Sequence, residues 1–404
     1  MQTHIADSIK DTDAGREAER ILRTCTHCGF CLATCPTYQE LGNELDSPRG
    51  RIYLIKQVLE GHEPSAETQL HLDRCLTCRA CESTCPSGVQ YSKLADIGRE
   101  LVEEQVPRSN QRLLRAFIRT VVPNRTLFST LMGLGQAVRP LVPGVLRNKL
   151  PAKASAPAWP PAPAQPQRRV LLLEGCAQPA MTPATNPETV RLLGEAGIEV
   201  VRTPKAGCCG ALHQHLGDPQ AAHGYIKHNI DTWWPEIENG ADAIVVNASG
   251  CGAQVKEYGY FLRNDPDYAD KAAEVARLAC DPVELLEGLG DRLAPRPDAP
   301  RRIAFQCPCT LQHGQKMPGR VEALLRKAGF ELTPVGEPHL CCGSAGSYSI
   351  LQPALAKRLR RRKLNNIEPG RPEMIVTANV GCQTHLGEEA TVPVRHWVEL
   401  LTVR

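Results

Sequence analysis

Eight cysteines stand in two matched ladders near the start of the chain. The first is Cys25, Cys28, Cys31 and Cys35, followed by Pro36; the second is Cys75, Cys78, Cys81 and Cys85, followed by Pro86. Each position of the first run recurs fifty residues later. Thiolates are ligands for soft metal centres, and C-x2-C-x2-C-x3-C-P is the run that holds paired [4Fe–4S] clusters. Three thiolates wrap a tight loop around three corners of a cube. The proline then fixes φ and withholds a donor, so the loop ends and the fourth cysteine is carried toward the neighbouring site. The spacing therefore predicts crossed ligation. Cys25, Cys28, Cys31 and Cys85 would hold one cluster, and Cys75, Cys78, Cys81 and Cys35 the other. Zinc sites pair two-cysteine knuckles or add histidines, and disulfides between residues three apart on a tight loop are geometrically awkward. Two runs of four fit both alternatives poorly.

A second constellation is duplicated in the C-terminal part. Cys176 is followed after 31 residues by Cys208-Cys209-Gly210, and Cys309 after 31 residues by Cys341-Cys342-Gly343. LLGEAGIEV (192–200) matches LLRKAGFEL (324–332), and AIVVNASGC (243–251) matches MIVTANVGC (374–382). Each half thus offers four thiols: Cys176, Cys208, Cys209 and Cys251, then Cys309, Cys341, Cys342 and Cys382. Four thiolates rarely meet without metal, which predicts one or two further iron–sulfur clusters. A retained fold with unligated thiols, or zinc in one half, is the competing reading. Cys307 lies beside the second set. Cys280 stands outside both sets and reads as a small buried hydrophobe. His213, His215, His339 and His385 could tune or ligate, but read as ordinary loop histidines. Arg49 and Arg51, near the first ladder, suit capping and salt bridges better than tuning of a cluster.

These ligands need elements to carry them. Residues 11–24 read as a helix entering the first loop. Ser47 as N-cap and Pro48 at the first helical position open a second helix, stopped near Gly61. Residues 88–105 read as a third. The ladders therefore sit on loops of a mostly helical module, residues 1–105. After it come a basic helical connector and a Pro/Ala-rich linker, residues 106–167. From Arg168 the pattern becomes α/β: strand 168–175, helix 188–197, strand from Ile198, strand 241–250. The overall class is α/β, with two repeated cysteine-rich units at 168–285 and 300–404. Cysteines at the carboxyl ends of parallel strands converge where such folds place ligands.

Composition limits the function classes. The chain has 404 residues, 18 cysteines and a net charge of +3. No global nucleic-acid signal exists. The first twenty residues lack an apolar core, so no secretory signal is read; no apolar run is long enough to span a bilayer. So many cysteines without a signal argue for metal ligation in a reducing compartment, the cytoplasm. Residues 105–173 contain no Asp or Glu but eleven Lys or Arg. That stretch suits an anionic membrane surface or an acidic partner; a solvated connector is the plainer reading. Residues 151–167 carry six prolines and read as a semi-rigid linker.

No GxGxxG fingerprint after a strand, Walker A run, Ser–His–Asp set or H-E-x-x-H motif can be read. The chain carries redox ligands but no hydride-handling cofactor, and no catalytic residue is assigned. Taken together, the stretches CTHCGFCLATCPTYQELGNELDSPRGRIYLIKQVLEG and HLDRCLTCRACESTCPSGV, with the duplicated CCG units, resemble the iron–sulfur subunits of glycolate oxidase. The resemblance spans nearly the whole chain. It implies an electron-transfer subunit working beside FAD-containing subunits in a heterotrimer-like complex that oxidises glycolate to glyoxylate. Electrons would pass to quinone at the inner face of the cytoplasmic membrane. The same role in a lactate or glycerol 3-phosphate complex is the near alternative. A disulfide reductase of the wider CCG family is the distant one, because those subunits end each repeat in C-x-x-C. Here the last positions are Gln254 and His385.

Overall fold

The computed structural model describes residues 1–108, 111–139 and 154–404; the expected linker residues 151–153 and connector residues 140–150 lie outside them. The N-terminal module is built from short helices: α1 (Asp13–Thr24), α2 (Pro36–Leu41), α3 (Pro48–Leu59), α4 (Ala66–Asp73), α5 (Ala80–Ser83) and α6 (Tyr91–Gln105). Thr12 caps α1 by accepting from the Gly15 N–H, and Ser47 caps α3 by accepting from the Gly50 N–H at 2.9 Å, with Pro48 at the first position. Each such cap contributes about 1 kcal/mol. Ala18, Ile21, Leu22, Ile52, Ile55, Leu59, Leu94 and Ala95 form the module's core. Gly98 lets α6 cross α3 closely, since a Cβ there would stand 2.6 Å from Ile55.

Both ladder loops bend alike. His27 and Gly29 in the first, and Thr77 and Arg79 in the second, all adopt positive φ. The fifty-residue repeat is thus a repeat of backbone conformation as well as of cysteines.

The connector forms α7 (Arg112–Val121) and α8 (Arg125–Val138). Several of its basic residues are answered from within the chain. Arg108 and Arg115 pair with Asp73 at 2.6 and 2.9 Å, and Arg125 pairs with the buried Glu174 at 2.6 Å. Ile118 packs on Leu216 and Leu351, so α7 pins the module to both C-terminal units. Those paired charges therefore work inward, while α7 and α8 leave the apolar Leu113, Phe117 and Leu134 exposed. Residues 154–167 form no helix or strand, yet Trp159 is held by the Arg202 guanidinium stacked 3.5 Å from its ring centroid.

The first cysteine-rich unit is a parallel sheet of β1 (Arg168–Leu172), β2 (Ile198–Arg202), β3 (Ala243–Val245) and β4 (Ala279–Cys280), in the order β2-β1-β3-β4. After β5 (Leu293–Pro295), the second repeats that order with β6 (Arg302–Gln306), β7 (Glu331–Leu332), β8 (Met374–Thr377) and β9 (Val394–His396), as β7-β6-β8-β9. The strand runs Val170–Leu172 and Ile303–Phe305 are wholly buried, as parallel strands covered on both faces require. The units share one core: Val170, Leu172 and Val245 belong to the same buried cluster as Ile303, Phe305 and Val376. The last strand, β10 (Leu401–Val403), returns antiparallel to β5 and ties the C-terminus to the junction between them.

Candidate metal centres

The two ladders line two cavities. Cys25, Cys28, Cys31 and Cys85 face the first, with Phe30, Arg49, Val89 and Pro86 around it. Cys35, Cys75, Cys78 and Cys81 face the second, walled by Thr37, Arg51, Leu76 and Ser92. The fourth cysteine of each ladder thus stands with the first three of the other. Pro48, Cys81 and Tyr91 border both cavities, so the two are neighbours across one wall. Among the described residues, no three His, Cys, Asp or Glu side chains gather closely enough to hold a single metal ion. Sulfur donors spread around a cavity fit a polynuclear iron–sulfur cluster, where one tetrahedral zinc would need them drawn in around it.

The second cavity is electrostatically prepared. Burial opposes ionisation of Cys75, but the Arg51 and Arg99 guanidiniums, the Tyr91 hydroxyl at 3.5 Å and the Thr77 N–H at 3.4 Å hold its pKa below the ordinary value. Burial, with neighbouring thiols, drives Cys78 and Cys81 well above theirs, and pushes Cys31 up to about 11. Such thiols become thiolates only against added positive charge, which bound iron supplies. Arg51 is fully buried. It donates from Nε to the His71 carbonyl at 2.7 Å and from Nη2 to Thr37 Oγ1 at 3.1 Å, above the buried Asp46. Arg49 instead pairs with Glu44 at 2.8 Å on the rim of the first cavity. Arg51 is thus a wall of the second cavity as well as an ion-pair partner. Asp46, His71, Tyr91 and Arg99 carried no sequence signal, because only folding brings them beside the ladder.

The duplicated cysteines also meet. Cys176, Cys208, Cys209 and Cys251 form a chain of neighbouring thiols. In the second unit Cys309 Sγ lies 3.7 Å from Cys341 Sγ, and Cys342 Sγ 3.3 Å from Cys382 Sγ. The Gly343 N–H donates to Cys341 at 3.5 Å and Asn379 Nδ2 to Cys382 at 3.8 Å. Cys307 turns into the shared core, and Cys280 closes β4 away from both sets, where burial pushes its pKa up to about 12. Three of the four histidine rings have other partners: His213 stacks on Tyr225, His215 meets Asp96 at 3.2 Å, and His385 Nε2 meets the Ala356 carbonyl at 3.2 Å. The second set abuts the N-terminal module directly. Leu76, Cys78 and Ala80 share one buried cluster with Cys341, Tyr348 and Leu359, and Cys309 packs on it.

A 4Fe-4S dicluster domain model matches residues 21–89, which include all eight ladder cysteines. A cysteine-rich CCG domain model matches twice, at 170–256 and 303–387, enclosing both four-cysteine sets and leaving Cys280 outside. Over 99% of its length the chain is 55% identical to the glycolate oxidase iron-sulfur subunit of Escherichia coli (strain K12), covering 98% of that protein. The chain belongs to the family of glycolate oxidase iron–sulfur subunits. A probable glycolate oxidase iron-sulfur subunit of Bacillus subtilis (strain 168) is 33% identical over 93% of this chain and 90% of its own. The lactate utilization protein A of Geobacillus thermodenitrificans is more distant, 28% identical over 54% of this chain and 91% of its own. The 4Fe-4S dicluster and CCG domain matches support iron–sulfur clusters on this chain. No helix among the described residues is long and apolar enough to cross a membrane.

Proposed function

We propose that this chain is the electron-relay subunit of a flavin-dependent complex oxidising glycolate to glyoxylate. The observation that carries the reading is the pair of cysteine-lined cavities sharing the Cys81–Tyr91 wall, with a third thiol set packed behind Cys78. Bound there, iron–sulfur clusters accept and release single electrons. Cys25, Cys28, Cys31 and Cys85 are the ligands proposed for the first cluster, and Cys35, Cys75, Cys78 and Cys81 for the second. At least one further cluster is proposed on the CCG cysteines.

The residues suggest a direction. Cys28 and the neighbouring Phe30 are exposed, so the first cavity faces the surface where a flavin-bearing partner would dock. Cys35, Cys78 and Cys81 are buried, and so are Cys341, Cys342 and Cys382 behind them. Hydride-level chemistry on glycolate belongs to the flavin subunit in this reading, with quinone as the final acceptor. The apolar residues that α7 and α8 leave exposed suit peripheral contact at the inner membrane face.

The test is anaerobic. The complex isolated with its native partners is mixed with glycolate in the absence of acceptor, and cluster absorbance and EPR are followed. Bleaching with a reduced-cluster signal is expected. A complex whose clusters respond to dithionite and to lactate, but not to glycolate, would overturn the substrate assignment.

A further inference from the structure

The two CCG units differ in charge at a matched buried position beside the cysteines. The helix Pro219–Glu238 of the first unit corresponds to the helix Pro353–Ile367 of the second. Their opening prolines, Pro219 and Pro353, and the residues packed on the two CCG glycines, Ala222 and Ala356, fix the alignment. On that alignment Asn229 matches Lys363. Both are buried. Asn229 is a neutral amide that accepts from the Gly207 N–H at 2.8 Å and donates to the Cys208 carbonyl at 2.9 Å. Lys363 is an amine whose Nζ donates to the Glu337 carbonyl at 2.8 Å, within electrostatic reach of Cys309, Cys341, Cys342 and Cys382. Burial pulls its pKa below the ordinary value, and those four thiols push back. A buried cation persists where anions are close.

We infer that Lys363 is a positioning residue for the second cysteine set: its ammonium is the counter-charge of the centre held by Cys309, Cys341, Cys342 and Cys382, a charge that the first set lacks. This rests on the proposed further cluster. Reduction adds negative charge to an iron–sulfur centre, so a fixed cation beside it favours the reduced state and raises its potential. The second set would then be the better electron acceptor of the two, and it is the one packed against Cys78.

The test is a redox titration by EPR, with iron analysis, on the complex isolated with its native partners, comparing wild type, Lys363→Asn and Lys363→Arg. Lys363→Asn installs the residue used by the first unit. The expected result is a lowered midpoint for one centre beyond the two ladder clusters, unchanged iron content, and a midpoint held near wild type in Lys363→Arg. Loss of that centre in Lys363→Asn with retention in Lys363→Arg would also support the inference. Unchanged midpoints at equal iron content, or loss of the centre in both variants, would overturn it. Wild-type iron sufficient only for the ladder clusters would overturn the further-cluster reading itself, and the inference with it.

Discussion

Arg51 directs its Nη2 at Asp46 Oδ1 across 3.5 Å, and neither side chain reaches solvent. The same carboxylate receives His71 Nδ1 at 2.9 Å and Arg74 Nη1 at 3.0 Å. Its own carbonyl lies 3.7 Å from Cys35 Sγ and accepts from Thr37 Oγ1 at 2.9 Å. One acidic residue thereby fixes the cationic wall of the second cavity and the loop carrying its fourth cysteine.

Asp46→Ala is therefore expected to cost about 3–5 kcal/mol, because it strands Arg51 as a buried, unpaired charge. Chemical denaturation of the wild-type and variant chains measures this. A loss comparable to that of an exposed ion pair would show that water reaches the site.

Cys35→Ser should damage the cluster built mainly on Cys75, Cys78 and Cys81, and leave the one built on Cys25, Cys28 and Cys31. EPR of the two variants Cys35→Ser and Cys85→Ser separates the centres. Perturbation of each ladder's own cluster would contradict the crossed arrangement of the cavities.

Gly343 has φ of 92°, and a Cβ there would meet the Ala356 carbonyl oxygen at 2.7 Å and Leu359 at 2.9 Å. Gly210, its counterpart, would bring a Cβ no closer than 3.1 Å to the Ala222 carbonyl oxygen. Gly343→Ala should cost about 1–3 kcal/mol, and Gly210→Ala less. Thermal unfolding of both variants decides the order.

His396 is buried at the end of β9, with Nε2 2.8 Å from the Asn247 carbonyl oxygen, and burial pulls its pKa down to about 4. The unfolded chain takes up this proton near 6.5, so the native state binds fewer protons between the two values. Stability is full above pH 6.5 and declines as pH falls toward 4, by about 3 kcal/mol in all. Denaturation midpoints across that range, compared with His396→Gln, should show the wild type falling more steeply.

The ladder spacing by itself was enough to read four cysteines per site in a crossed grouping, because a tight C-x2-C-x2-C loop with a terminating proline has few conformations open to it, and the two cavities gather the cysteines in that grouping. Ser47 and Pro48 fixed the start of α3 in the same local way, and the offset between Cys176–Cys251 and Cys309–Cys382 announced two copies of one sheet. What local pattern could not supply was the environment of the sulfurs. The basic run at 105–173 looks outward-facing in sequence, yet Asp73 turns Arg108 and Arg115 inward, and Glu174 does the same to Arg125 from 49 residues along the chain. Lys363 reads as one cation in the run KRLRRRK (357–363), and only the packing of its helix buries it among four thiols while its neighbour Arg361 stays in solvent. Asp46 and Arg51 are unremarkable letters until α3 and α4 close over them. Ligand identity is a property of spacing along the chain; the charge around the ligands is a sum over space, and only the tertiary structure sets those distances.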